Sequence, residues 1–323
     1  MATPLPRAEV IIRPLVETDL AEADRICRLA FGTFLNLPEP ARSGGDNDFA
    51  TTRWKADPFA AFAAEYDGKL VGSNFATSWG SFGFFGPLTI HPEYWDRGIA
   101  QQLLVPTMEL FRRWGCRHLG LYTFAHSPKH LALYQKFGFW PRDLVAAMAK
   151  DMVDGRAEPD FSVSRFLEVK PGDRESILQS CRELTSSIFE GLDVSREIRA
   201  VADQNLGDTI LVWEGASLAA LAVCHTGPGT EAGSGICYLK FAAVRSGPYV
   251  SRNFSRLLEA CEVYGRERGA AKIRAGVNVA RREAFREIYA RGYRTEFQGV
   301  AMETGDASSG YNRAGLYILD DWR

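Results

Sequence analysis

Between Asp96 and Ala100 the chain reads "DRGIA", a turn of small residues between the apolar run "FGFFGPLTI" and the helically patterned "QQLLVPTMELFRRWG". A strand that feeds a helix through such a turn leaves the first helical N–H groups without partners, at the positive end of the helix dipole. Gly98 and Ala100 lack the bulk to shield the amides from Asp96 through Ile99 to Ala100, and Arg97 adds a charged donor. A phosphate or pyrophosphate is the expected guest. No G-x-x-x-x-G-K-[ST] occurs, and no G-x-G-x-x-G follows a strand. Gly80, Gly83 and Gly86 precede or interrupt the strand and read as turns or a bulge.

A second group of reactive side chains lies downstream in "HSPKHLALYQKFG". Ser127 suits a helix N-cap, Pro128 the first helical position, and Gly138 a left-handed C-terminal residue, so one short helix carries Tyr134. A phenol can donate a proton or a hydrogen bond to a leaving group, and His126 and His130, four residues apart, can relay protons. With no third ligand and no H-E-x-x-H arrangement, the histidine pair predicts no metal site. A third group, in the loop "SGGDNDFATTRW", offers carboxylates at Asp46 and Asp48 for an ammonium ion, and Arg53 and Trp54 for a carboxylate or an aromatic ring.

The elements that must position these groups are legible. "EVIIRPLVETDLAEADRICRLAFGTF" predicts a strand, a turn at Pro14 and a helix from Leu20. A long Pro- and Gly-rich surface loop follows, with a short helix around Ala50 to Lys55. "YDG" and "WGS" punctuate β-rich runs as hairpin turns. Past Gly98 an apolar stripe of Leu103, Leu104, Thr107, Met108 and Phe111 predicts a helix ending near Gly115, followed by the strand "HLGLYTFA". After the Tyr134 helix, "LVAAMAKD" is a further strand, and "DMVDGRAEPD" reads as a polar linker.

Composition excludes several classes of partner. The 323 residues are 46% hydrophobic and 24% charged, ordinary for a globular protein with room for two domains. Thirty-eight basic against 40 acidic residues leave a net charge of −2, no field for a polyanion, so nucleic acid is not an expected partner. No apolar run has the length of a membrane span and no secretory leader pattern opens the chain, so the expectation is a cytoplasmic protein that contacts no membrane. A homodimer is compatible with these numbers. Six scattered cysteines without C-x-x-C read as small buried thiols.

The chain also repeats itself. Setting Ile90 on Val244 sets, without a gap, Leu104 on Leu258, Gly138 on Gly292 and Phe139 on Tyr293. Upstream, "DGKLVG" matches "EGASLA" only after a seven-residue slip, which the loop "TGPGTEAGSG" absorbs. The second copy of the small turn is "VSRNF", with Arg252 on Gly98 and Phe254 on Ala100, and Ile288 falls on Tyr134. Bulk at the turn predicts that the second copy does not take a pyrophosphate, and Arg245 and Arg252 are its remaining cationic candidates.

"LTIHPEYWDRGIAQQLL" followed by "SPKHLALYQKFGF" resembles the GNAT superfamily of acetyl-coenzyme A dependent N-acetyltransferases. Its signature is a strand, [RQ]-x-x-G-x-[GA] opening a helix, a strand, and a helix of the form N-x-x-A-x-x-L-Y-x-x-x-G-F. Trp95, Ser127 and His130 depart from it. The resemblance implies an α/β (α+β) fold of two tandem GNAT-like domains, each a mixed, mostly antiparallel sheet flanked by helices. These would be residues 8–152, binding acetyl-CoA and catalytic, and residues 160–323, degenerate and either structural or shaping the acceptor site. It further implies pantetheine held near Leu88 and Ile90, pyrophosphate on the "DRGIA" amides, Ser127 near the cofactor, and Tyr134 as general acid toward a departing thiolate. Where relatives place a glutamate base the chain has Phe84, so no base is assigned beyond a relay through His126 or His130. The implied activity is acetyl transfer to a small-molecule amine by direct attack in a ternary complex. A protein or peptide acceptor and a non-catalytic acyl-CoA binding module stand as alternatives.

Overall fold

The computed structural model describes residues 10–153, 160–305 and 310–322. The first two residues of the expected N-terminal domain, most of the expected linker and Arg323 lie outside the described residues.

The N-terminal half runs β1 (Ile11–Pro14), α1 (Leu20–Phe34), α2 (Phe49–Ala56), β2 (Ala61–Tyr66), β3 (Lys69–Trp79), β4 (Phe82–Phe85), β5 (Thr89–Ile90), α3 (Ile99–Trp114), β6 (His118–Thr123), α4 (Pro128–Gln135) and β7 (Trp140–Asp151). The C-terminal half repeats that order with β8 (Val163–Arg165), α5 (Arg174–Ile188), α6 (Ser195–Asp203), β9 (Gly207–Glu214), β10 (Ser217–Gly227), β11 (Gly233–Val244), α7 (Val250–Glu267), β12 (Lys272–Asn278), α8 (Arg282–Ala290) and β13 (Arg294–Glu303). One short strand has no counterpart in the first half, β14 (Ile318–Leu319).

The signals that predicted these elements act locally as expected. Asp67 and Gly68 take positive φ of 52° and 68° at the β2–β3 turn, and Gly115 and Gly138 close α3 and the α4 turn at φ 68° and 83°. The side chain of Ser127 accepts from the His130 amide as the α4 N-cap. Helix α3 buries Ile99, Leu103, Leu104, Thr107, Leu110 and Phe111 against the sheet, the stripe its spacing required.

The described strands form one continuous, mostly antiparallel sheet in the order β1-β2-β3-β4-β6-β13-β7-β12-β11-β10-β9-β8. The two halves exchange their last strands. Strand β13 lies beside β6 in the first half, Val300 opposite Thr123 and Glu303 opposite Gly120. Strand β7 lies beside β12 in the second, Val145 opposite Asn278 and Asp151 opposite Lys272. One apolar core consequently spans both halves, joining Trp79, Phe82 and Phe84 to Leu211, Phe241 and Trp322. All six cysteines are free; five are buried as expected, while Cys116 is partly exposed.

Because each half takes one of the two neighbours of its β6 or β12 from the other half, the chain is expected to unfold in a single transition. Near-ultraviolet and far-ultraviolet thermal melts that coincide would bear this out; two separated transitions would contradict it.

Candidate functional site

Strands β4 and β6 pair in parallel at Phe82↔His118, Gly83↔Leu119 and Phe84↔Gly120 and then part. Beyond Gly86 the chain turns to β5, which pairs instead with β3, Ile90 opposite Gly72 and Thr89 opposite Ser73. A gap therefore opens in the sheet, and the N-terminus of α3 stands at its mouth. A cavity of about 420 Å³ fills this gap and is lined by Leu88, Ile90, the Asp96–Ala100 turn, His130 and Tyr134.

The turn has the geometry its composition called for. Asp96 and Gly98 take positive φ of 63° and 76°, and a Cβ on Gly98 would meet no atom within 4 Å. The backbone can be approached there by a ligand. Trp95 donates its indole N–H to the Ile90 carbonyl at 2.7 Å, tying the turn to β5. Cationic groups ring the mouth: Lys129 pairs with Asp96 at 2.5 Å, Arg97 lies over the Tyr94 ring, and Lys136 lines the cavity.

Tyr134 is buried on α4. Burial raises its pKa and a hydrogen bond with Thr123 lowers it, with a net rise, so the phenol keeps its proton across the physiological range. His130 has its pKa lowered by burial first, then by the charges of Lys129 and His126. His126 is exposed, with its ring against Phe34 at 5.8 Å, and Ser127 is spent on capping α4. Neither of these two lines the cavity. Phe31, Phe34 and Phe124, which no motif singled out, form its apolar wall. Phe84 sits in the shared core, edge-on to Trp79 at 4.7 Å.

The "SGGDNDFATTRW" loop is docked onto the second half. Asp46 accepts from the amide and hydroxyl of Ser234 at 2.8 and 2.5 Å. Asp48 caps α2 through Thr51, and its own amide donates to the Thr230 carbonyl at 2.9 Å. Trp54 donates to the Leu15 carbonyl at 3.0 Å. Arg53 grips Glu231 through Nε and Nη2 at 2.9 and 3.0 Å and gives Nη1 to the Gly86 carbonyl. Asp48, Arg53 and Trp54, read as ligand-facing, thus all make contacts within the protein, and none of them lines the cavity.

Arg53 is one end of a buried chain of charge. Lys240 bridges Glu231 at 2.7 Å and Glu197 at 2.9 Å, and Glu197 also accepts from the Trp79 indole at 3.3 Å. All four ionic side chains are buried, beside a fully buried His225. A space of about 20 Å³ beside Arg53, Glu197, His225 and Lys240 is room for about one water molecule. Sequence spacing missed this network, since Arg53 and Glu231 lie 178 residues apart; its one trace is the seven-residue slip in the loop carrying Glu231.

With this geometry in hand, likeness to known proteins is informative. Residues 28–139 match the family described as acetyltransferase (GNAT) family. Among solved structures, a putative acetyltransferase from Pyrococcus horikoshii superposes with a TM-score of 0.69 at 15% identity, covering 100% of this chain and 98% of that one. A GCN5-related N-acetyltransferase from Sphaerobacter thermophilus gives 0.59 at 16%, covering 93% and 96%. A tandem GNAT protein from the clavulanic acid biosynthesis pathway gives 0.56 at 14%, covering 93% and 100%. No curated protein matches. The fold is that of the tandem GNAT proteins. The match to the GNAT family model lies within the N-terminal half.

The ionic network sets a pH dependence. For Glu197 burial pushes the pKa up, but Lys240 and His225 outweigh it and hold the group at about 2. For Glu231 burial acts upward and Arg53 and Lys240 act downward more strongly, leaving it well below the carboxylate range. A depressed folded-state pKa stabilises the fold above the ordinary value of 4.5 and loses that contribution as pH falls toward 2. Acid unfolding between those limits is expected to be steep in the native chain and shallower in Glu197→Gln, as measured by denaturant midpoints against pH. Glu231→Gln should cost about 3–5 kcal/mol at neutral pH, because it removes a charge partner from both Arg53 and Lys240.

Proposed function

We propose that this chain is an acyltransferase that moves the acetyl group of acetyl-CoA to the amine of a small molecule, by direct attack in a ternary complex. The observation that carries the reading is the coincidence, around one cavity, of the parted strands β4 and β6, the Gly98 turn and the protected Tyr134 phenol. GNAT acetyltransferases use acetyl-CoA, and this cavity suits its parts. Leu88 and Ile90 would flank the pantetheine arm, and the amides from Asp96 to Ala100, with Arg97, Lys129 and Lys136, would hold the pyrophosphate.

Bound there, the coenzyme supplies an activated acetyl thioester. The chain's own residues do the remainder. The α3 N-terminus neutralises phosphate charge, and the apolar wall of Phe31, Phe34 and Phe124 excludes water. Tyr134, kept protonated by burial, holds a proton for the departing sulfur, whose ordinary pKa is about 8.5 when it resembles a cysteine thiol. We assign His130 to accept the amine proton, because it lines the cavity and burial keeps it neutral. His126, stacked on Phe34 outside the lining, is the less suited of the pair.

A small acceptor is favoured over a protein because the site is a cavity of about 420 Å³ walled by side chains of α1, α3 and α4. The loop that read as the acceptor's approach is pinned to the second half by Asp46 to Ser234 and by Asp48 to Thr230, and no residue of it lines the cavity. Shaping that approach is the role we propose for residues 160–323, with residues 8–152 as the catalytic domain. A cytoplasmic location fits the coenzyme; among the described residues no helix is long and apolar enough to cross a membrane.

Thiol release from acetyl-CoA across pooled small amines tests the reading. Tyr134→Phe is expected to lower turnover about 100-fold or more while leaving coenzyme affinity, measured by calorimetry, nearly unchanged. Unchanged turnover would remove Tyr134 from the chemistry. Gly98→Glu puts bulk and negative charge at the turn and is expected to abolish coenzyme binding with the fold intact by circular dichroism.

A further inference from the structure

Both halves open their sheet at the same place. The gapless alignment carries the β4–β6 pairs Phe82↔His118, Gly83↔Leu119 and Phe84↔Gly120 onto Ile236↔Lys272, Cys237↔Ile273 and Tyr238↔Arg274 of β11 and β12, with Leu239↔Ala275 one step further. Past these pairs the strands diverge in each half. In the first half the gap is the cavity described above. In the second it holds a length of the chain itself.

Strand β14 lies antiparallel to β11 in that gap, Leu319 opposite Ala242 and Ile318 opposite Ala243. The Val244 amide donates to the Tyr317 carbonyl at 3.1 Å. Ala242 and Val244 are the aligned counterparts of Leu88 and Ile90. Around this peptide, side chains at the counterparts of Ser127, Ala100 and Lys129 face it. Arg281, on the counterpart of Ser127, is fully buried and donates Nη1 to the Ile318 carbonyl and to Asp320 Oδ1, both at 3.0 Å. Phe254, on the counterpart of Ala100, packs edge-on to the Tyr317 ring at 5.0 Å. Glu283, on the counterpart of Lys129, accepts the Gly315 amide at 2.7 Å. Tyr311 and Tyr238 donate their hydroxyls to Asp320 and Asp321 at 2.5 and 2.8 Å.

The turn is gone as well. Helix α7 begins at Val250, so Arg252 to Phe254 lie inside it, and the Asn253 amide is bonded to the Tyr249 carbonyl at 2.9 Å. The bulky turn expected from "VSRNF" is therefore corrected to a longer helix. Arg245 donates to the Leu218 carbonyl at 3.0 Å and Arg252 pairs with Glu214, so neither faces the gap.

We propose that the slot of the second half is a peptide-binding site whose ligand is residues 315–322 of the same chain. It is taken up as an added strand, with Arg281 reading Asp320, where a pantetheine arm would otherwise lie. Equating the peptide with that arm rests on the function proposed above, whereas its occupation of the slot does not. Two measurements on the full chain separate these. Hydrogen exchange without coenzyme is expected to show residues 315–322 protected by about 100-fold or more over unstructured chain. Asp320→Asn should raise exchange there and at residues 242–244 at least about tenfold, while β9 and β10 stay protected. Exchange of 315–322 at unstructured rates would overturn the proposal. Native mass spectrometry with acetyl-CoA should show one equivalent bound, and none in Gly98→Glu. A second equivalent, or one retained in Gly98→Glu, would show the slot open to coenzyme and overturn it too. No binding to the native chain would sink the coenzyme reading, and the exchange result alone would then decide the slot.

Discussion

The constraint on which the rest of the structure depends is the exchange of β7 and β13. Each edge of a central strand presents N–H and C=O groups that must be paired once buried. For β6 that partner is Val300 to Glu303, at least 177 residues further along the chain (300 − 123 = 177), and for β12 it is Val145 to Asp151. Neither half can satisfy its central strand alone, so the duplicated units fold as one object. The cleft between β4 and β6 inherits this: its far wall, β6, is held in place by a strand from the other half.

The near wall is held the same way by charge. Gly86 is where β4 ends and the chain turns away to open the gap, and its carbonyl is taken by Arg53, whose other two donors go to Glu231. A buried ion pair gains little net stability over apolar packing of the same volume. What it adds here is direction, since a planar guanidinium forked on a carboxylate through two nitrogens has the direction of its third nitrogen fixed. The loop carrying Glu231 thereby fixes the point of divergence in the first half, and the C-terminal half acts on the cleft without lining it.

Much of this was legible in the sequence, and for definite reasons. Positive-φ positions announce themselves as glycine, so Gly98, Gly115 and Gly138 marked a turn and two helix ends. Ser127 with Pro128 marked a helix start, and the apolar stripe of α3 marked its buried face. Ile90 set on Val244 gave a register that holds pair for pair in the sheet. What was not legible is partnership across distance. "LVAAMAKD" is apolar on both faces, which says buried strand but not beside whom. Arg53 and Trp54 advertise recognition chemistry, but their partners sit on segments remote in sequence, so composition alone could not tell a ligand contact from an internal one. Arg252 and Phe254 suggested a crowded turn; three further residues of helix were cheaper than a strained turn with nothing to bind.

The two slots also explain each other. When parallel strands diverge, the backbone groups lining the gap lose their ladder partners, and burying them unpaired costs more than any side chain filling the space returns. A gap in a sheet therefore needs something with amide hydrogen-bonding capacity along its length. Pantetheine has amides of that kind, and so does a peptide. A copy without the first needs the second, since side-chain bulk alone, as at Phe254, fills volume but leaves the edge of β11 bare. Tyr317, Ile318 and Leu319 supply the missing edge, while Arg281 and Asp320 fix how far the segment is threaded. On the function proposed above, the first copy keeps its edge for a ligand that comes and goes and so has a use for the turn at Gly98, which an occupied slot has not.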